Sequence, residues 1–179
     1  MTTVRIAQEA DAEAPDIEQS AGEAYRGIAG LAWIADDDNQ TVDRHRELIS
    51  KGACWVAVDH DDRPVAFLSA ELHDDTLHIW ELDVRLDRQR SGIGRALIEK
   101  AIADAMERRL VALTLTTFRD VIWNAPFYQK LGFQVLDDAQ AGKRLRQVLR
   151  REVKHGMPAS RRCAMRLVLN YEQESGRSH

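Results

Sequence analysis

The sequence predicts a mixed α/β domain whose elements run β-α-α-β-β-β-α-β-α-β-α-β. Three observations carry this. The hydrophobic period changes repeatedly between two residues and about 3.6. Three strand-like runs lie between residues 53 and 84, joined by turns too short for anything but an antiparallel meander. A glycine pair then sits where a strand gives way to a long amphipathic helix.

Val4-Arg5-Ile6 alternates as a short strand, and the acidic stretch after it carries helix-spaced apolar positions at Ile17, Ala21, Ala24, Tyr25 and Ile28. A second helix is expected from Thr41, a good N-cap, to Lys51, with Gly52 where a left-handed cap is wanted. The meander follows as Ala53 to Asp59, Val65 to Leu72 and Leu77 to Val84, with turns at His60 to Pro64 and at Asp74-Asp75. From Gly92 to Arg109 the apolar face is Ile93, Leu97, Ile98, Ile102, Ala105 and Met106. Val111, Leu113 and Leu115 alternate as a strand. A short helix runs from Asn124 to Leu131, with Pro126 in its first turn and Gly132 just past its end. Phe133 to Leu136 is a strand, Asp138 to His155 a helix through Leu145, Val148, Leu149 and Val153, and Ala164 to Leu169 the last strand. No linker interrupts the order, so residues 1–173 are expected to form one domain and Glu174 to His179 a frayed tail.

Bulk properties narrow the function classes. The 179 residues are 44% hydrophobic and 30% charged, a globular rather than a disordered composition. No apolar run approaches the roughly 20 residues that cross a bilayer. The N-terminus has no signal-peptide pattern, so a cytoplasmic protein without a membrane partner is expected. Cys54 and Cys163 lie apart in apolar, strand-like surroundings and are read as buried thiols. His45, His60, His73, His78, His155 and His179 show no paired ligand spacing, so no metal is expected. The basic stretch from Lys143 to Arg166 lacks interleaved aromatics, and with a pI near 5.9 nucleic acid is not an expected partner.

The segment from Val84 to Leu97 is the most informative. A strand end, Gly92, Gly94 and a helix start together present free backbone N–H groups and the positive end of a helix dipole, which is an anion site. A dinucleotide fold wants a third glycine where this chain has Leu97, and a Walker loop wants Gly-Lys-Ser/Thr, which is absent. What remains is Gln89, Gly92 and Gly94 in the pattern Gln/Arg-x-x-Gly-x-Gly/Ala, followed later by Trp123-Asn-Ala-Pro-Phe-Tyr-Gln-Lys-Leu-Gly-Phe133. Both strongly resemble signatures of the Gcn5-related N-acetyltransferase (GNAT) superfamily, and the element order agrees from Val4 to Leu169.

That resemblance implies a central, mostly antiparallel sheet flanked by helices, acetyl-CoA as co-substrate, and direct acetyl transfer to an amine with no cysteine intermediate. It implies that Gln89, Arg90, Ser91, Gly92, Ile93, Gly94 and Arg95 surround the CoA pyrophosphate and that the backbone of Leu82, Asp83 and Val84 pairs with pantetheine. Arg90, Ser91 and Arg95 are equally well read as solvated loop residues. Asn124 matches a CoA-contacting position and is equally well read as a helix N-cap. A dimer is compatible with the family.

An amine of pKa about 10.4 is almost wholly protonated at neutrality, a deficit of roughly 4–5 kcal/mol that a base or a water chain must overcome. Tyr128 matches the family tyrosine that protonates the leaving thiolate, and its alternative is a packing aromatic. For the base, Glu81 and His78 stand level with a water chain. His78, Trp80 and Leu82 share one face of a regular strand, and Glu81 joins them only if a bulge turns it inward. Thr116 stands where relatives often carry a glutamate. The acidic run Asp36-Asp37-Asp38, in a stretch that walls the acceptor cleft in the family, suggests a cationic small amine or a peptide amine as acceptor. A catalytically silent acyl-CoA sensor and a subunit that docks a partner through its basic helix are the alternatives.

Overall fold

The computed structural model describes residues 2–13, 16–38 and 40–171. The expected tail, with His179, lies outside them. Seven strands form one sheet in the order β1-β2-β3-β4-β5-β7-β6: β1 Thr3–Ile6, β2 Cys54–Val58, β3 Pro64–His73, β4 Thr76–Val84, β5 Ala112–Phe118, β6 Gln134–Leu136 and β7 Arg162–Val168. The β2-β3-β4 meander is antiparallel as its short turns require, and Asp74 takes φ +52° to close the tighter of them. Only β4 and β5 pair in parallel, because α3, Ile93–Glu107, carries the chain across one face between them.

Among the described residues, five α-helices accompany the sheet. α1 (Asp16–Gly22) and α2 (Val42–Ser50) contact β3 and, for α1, β4, while α3 packs on β2, β3, β4 and β5. α4 is Ala125–Gln129 and α5 is Asp138–His155, the latter lying on β5, β6 and β7. The main core is the interdigitation of α3 with the sheet: Leu97, Ile98, Trp55, Leu68, Leu77, Leu113, Leu115, Phe133 and Met165 are almost wholly buried. Cys54 and Cys163 are buried free thiols, and burial pushes the Cys54 thiol up to about 11. Among the described residues, no helix is long and apolar enough to cross a membrane.

The caps agree with their residue types. The Thr41 hydroxyl accepts from the Arg44 N–H at 3.2 Å, and Gly52 takes φ +74° just past α2. Asp137 and Gln140 form a reciprocal capping box at the start of α5.

Two helices differ from expectation. The helix predicted through Ile28 ends at Gly22 and continues as a 3₁₀ turn, Glu23–Gly27, with a second, Ala32–Asp36, following. A Cβ at Gly22 would lie 3.4 Å from the Ile34 carbonyl oxygen, so the returning segment packs directly on that backbone. Tyr25, Ile28, Leu31 and Ile34 are then drawn into a separate small core with Phe118 and Val121. Tertiary packing there overrides the helical period. α5 has the predicted bounds but is kinked at Gly142, where φ is +69° and ψ 179°.

Candidate active site

The sheet opens between β4 and β5. They pair only over Thr76 to His78 against Ala112 to Thr114, whereas β5 continues with β7 as far as Phe118. Beyond the vertex at His78 and Thr114, the β4 edge from Ile79 to Val84 has no strand beside it among the described residues. On its other edge β4 pairs with β3, and Arg85 donates its N–H to the Val65 carbonyl at 3.0 Å. Antiparallel alternation therefore turns the Asp83 peptide groups toward Phe67 and those of Leu82 and Val84 into the opening. Gln89 Nε2 donates to the Val84 carbonyl at 3.1 Å, tying the following loop to this edge.

A bulge decides which β4 side chains share a face. Ser69 pairs with Glu81 and Ala70 with Ile79, so Trp80 is the extra residue. Leu82 and Val84 consequently pack on the α3 core, while Glu81 and Asp83 face α1, on the side of His78 and Trp80. The conditional expectation for Glu81 is met, and Leu82 moves off the face a regular strand would have given it.

Two left-handed residues, Arg90 at φ +60° and Gly92 at φ +84°, fold the loop before α3 into a concavity of backbone N–H groups. The Ser91 hydroxyl donates to the Arg88 carbonyl at 2.5 Å. The first intrahelical bond runs from Ala96 N–H to the Gly92 carbonyl, 3.0 Å, so the N–H groups of Ile93, Gly94 and Arg95 have no acceptor within the helix. Gly94 lies where a Cβ would be 3.7 Å from Phe127 and 3.8 Å from Leu82 and Val84. Arg90 is exposed, and Arg95 is paired with Glu99 at 2.8 Å.

At the open end of β4 three carboxylates converge: Glu18 from α1, Glu81 and Asp83. Burial, then Asp83 and Glu18, raise the Glu81 carboxyl well above the carboxylate range, and burial followed by Glu18 raises Asp83. Glu18 accepts from the Gln40 N–H at 2.8 Å and lies 2.7 Å from His45 Nε2, and Gln40 Nε2 donates to Glu81. Glu81 Oε2 is buried with no partner among the described residues. Glu18, His45 and Glu81 come close enough to share a cation, an arrangement the sequence spacing does not reveal.

Tyr128 is buried on α4, edge-on to Phe127 at 5.1 Å and Phe133 at 5.7 Å between ring centres. Burial first, then Tyr25 and Asp83, hold its hydroxyl above the ordinary phenol range. Asn124 stands at the N-cap position of α4, its carbonyl accepting from the Tyr128 N–H at 3.1 Å, but its side chain does not cap the helix; Oδ1 accepts instead from the Tyr25 hydroxyl at 3.0 Å, a tie between α4 and the turn after α1. His78 is fully buried. Its Nδ1 lies 2.9 Å from Thr114 Oγ1, Nε2 has no partner among the described residues, and burial with Arg144 lowers it to about 3. Thr116 is bonded to Glu152 of α5 and Arg162, so an acid from another element reaches the position where the strand itself lacks one.

Two of the three residues of the acidic run are paired, and Asp38 is exposed. Asp36 accepts from the two terminal nitrogens of Arg26 at 2.8 and 3.0 Å, and Asp37 lies 2.8 Å from His155 Nε2. Glu18, Gln40, His45 and Tyr25, which surround the carboxylates and Tyr128, escape a reading of the sequence. Tyr25 looks like one apolar position of a helix, and its bond to Asn124 spans 99 residues.

The model of the acetyltransferase (GNAT) family matches residues 15–133. A peptidyl-lysine N-acetyltransferase of Escherichia coli, YjaB, is 36% identical over 50% of this chain and 55% of its own length. An uncharacterized N-acetyltransferase of Bacillus subtilis, YvbK, is 26% identical over 59% of this chain and 66% of its own. The chain thus spans about half to two thirds of the curated relatives it matches. Among solved structures, the PaiA N-acetyltransferase of Thermoplasma acidophilum in complex with coenzyme A superposes with a TM-score of 0.69 at 15% identity, covering 94% of this chain and 99% of that one. The ribosomal-protein-S18-alanine N-acetyltransferase of Escherichia coli gives 0.67 at 18%, covering 98% of both chains. With a family model over most of its length and this sheet order around a β4–β5 opening, the chain belongs to the GNAT acetyltransferase family.

Proposed function

We propose that the protein moves an acetyl group from acetyl-CoA directly to a primary amine, either a small amine or a peptide or protein amine. One observation carries the reading: the unpaired edge of β4, the N–H concavity before α3, Glu81 and Tyr128 meet at one opening, where burial first, and Asp83 as a lesser cause, raises both Glu81 and Tyr128. The residues suit CoA. Unpaired N–H groups at a helix start and left-handed turns favour phosphates, and the Leu82 peptide groups and the Val84 N–H, turned into the opening, favour an amide-bearing chain such as pantetheine. Acetyl-CoA supplies a thioester-activated acetyl group.

The chain's own residues manage protons. A carboxylate raised out of its usual range is a better match for an ammonium proton at neutral pH, and Glu81, buried between Asp83 and Glu18, is such a base. Gln40 orients it. Tyr128 keeps its proton through neutrality and can give it to the departing sulfur. His78, neutral far below physiological pH and buried, fits a positioning role on Thr114 better than that of a base. The Escherichia coli relative named for peptidyl-lysine supports an amine acceptor of that class. Thiol release from acetyl-CoA over a panel of amines tests the reading. Acceptor-dependent release is expected. CoA binding with no release for any amine would favour an acyl-CoA sensor.

A further inference from the structure

A cavity of about 520 Å³ opens over the vertex of the β4–β5 split, on the face shared by α2 and α5. Gln40, Arg44, Glu71, Trp80, Arg144 and Arg151 line it, a size suited to a small molecule. Its charges are unequally matched. Glu71 is the hub of a closed network, accepting from Lys51 at 2.5 Å and Trp80 Nε1 at 3.0 Å with Arg44 at 3.5 Å, and Arg44 also holds Glu47 at 2.8 Å.

Arg144 and Arg151 have no such partners. Arg144 Nη2 donates to Thr114 Oγ1 at 3.0 Å, and Nη1 is buried with no acceptor among the described residues. Arg151, one side of the same cavity and two turns further along α5, makes no ion pair with any described carboxylate. A guanidinium withdrawn from water with a donor unmet is costly, and a planar anion relieves that cost through paired N–H bonds. At the other end, Gln40 lines the cavity and donates to Glu81, so the cavity leads from two unmatched cations to the carboxylates of the opening. The acidic run that suggests a purely cationic ligand has Asp36 on Arg26 and Asp37 on His155.

We propose that this cavity is the acceptor pocket, and that it takes a small primary amine bearing an anionic group, carboxylate or phosphate. Arg144 and Arg151 hold the anion while the amine lies toward Glu81. The inference rests on the transferase reading above. Its test is calorimetry on the full chain saturated with CoA, using amino-carboxylates and aminoalkyl phosphates of graded length against the amino-amides of the same lengths. The anionic compounds should bind about 10- to 100-fold more tightly than the amides, the range expected for charge-assisted bonds, and the tighter of the two series identifies the head group. Arg144→Gln and Arg151→Gln should each remove most of that preference. Arg151 is exposed, so its variant keeps the test open if Arg144→Gln fails to fold, and Arg144→Lys retains the charge while losing the fork.

Equal binding of amides and anions, binding of neither, or an unchanged preference in the Arg151→Gln and Arg144→Lys variants would overturn the proposal. Thiol release separates it from its premise. Turnover of neutral amines with no preference for anionic ones leaves the transferase standing and removes the anion pocket. A retained anion preference with no turnover of any amine removes the transferase and leaves the pocket.

Discussion

Replacing Tyr128 by Phe deletes one oxygen and leaves every other contact of the ring. The ring stays edge-on to Phe127 and Phe133 in the α3–α4 core, so packing is preserved. The hydroxyl is buried and held above the ordinary phenol range, so its loss removes a proton donor and no charge. Removing a single hydroxyl costs folding on the order of 1 kcal/mol, whereas losing a general acid lowers kcat by about 10² to 10⁴, equivalent to about 3–5 kcal/mol of barrier. The two roles therefore separate by magnitude. Thiol release at saturating acetyl-CoA should fall at least a hundredfold, CoA binding by calorimetry should stay within about twofold, and the melting temperature should move by only a few degrees. Full activity in the Phe variant, or a fall in activity matched by a comparable fall in stability, would refute the proton-donor assignment and leave Tyr128 as a core aromatic.

The pH dependence follows from Glu81 and Asp83. A base works unprotonated, so its contribution is present above its pKa and lost as pH falls through it. Because burial, then the charge of Glu18 and, for Glu81, of Asp83, raises both carboxyls, kcat/KM should decline on acidification nearer neutrality than ordinary carboxylates titrate, and Glu81→Gln should abolish that limb with most of the rate. A profile identical in the variant would assign deprotonation elsewhere. Gly92→Ala forces a Cβ onto φ +84°, costing about 1–2 kcal/mol of backbone strain although no atom lies within 4 Å of that Cβ; CoA affinity should fall about tenfold in a folded protein, and unchanged calorimetry would place the phosphates elsewhere. Changing Asp36, Asp37 and Asp38 together to Asn should lower the melting temperature slightly, by releasing Arg26 and His155, and leave the acceptor KM unchanged. A several-fold rise in KM for a cationic acceptor that flattens with salt would restore the run as an acidic wall.

The features legible in the sequence are local. The order of strands and helices, the caps at Thr41 and Gly52, the bounds of α5 and the turn with exposed helix-start N–H groups at residues 89–95 all rest on properties legible within about a dozen neighbouring residues: period, turn chemistry and the steric freedom of glycine. Even the bulge in β4 could be posed as a condition on Glu81, although choosing it required the register against β3. The helix expected through Ile28 failed because packing around Phe118 and the close approach at Gly22 compete with a period that remains visible in the residues. The surroundings of Glu81 and Tyr128 come from folding, because pKa and partner choice depend on burial and on charges brought from distant segments. Glu18 and Gln40 reach β4 from more than 40 residues away, and Tyr25 reaches Asn124 across 99. The same holds for charge pairing: a count of charges along the chain does not show that Asp36 meets Arg26 and Asp37 meets His155, or that a buried Arg144 nitrogen has no acceptor among the described residues, because each depends on which segments folding brings together.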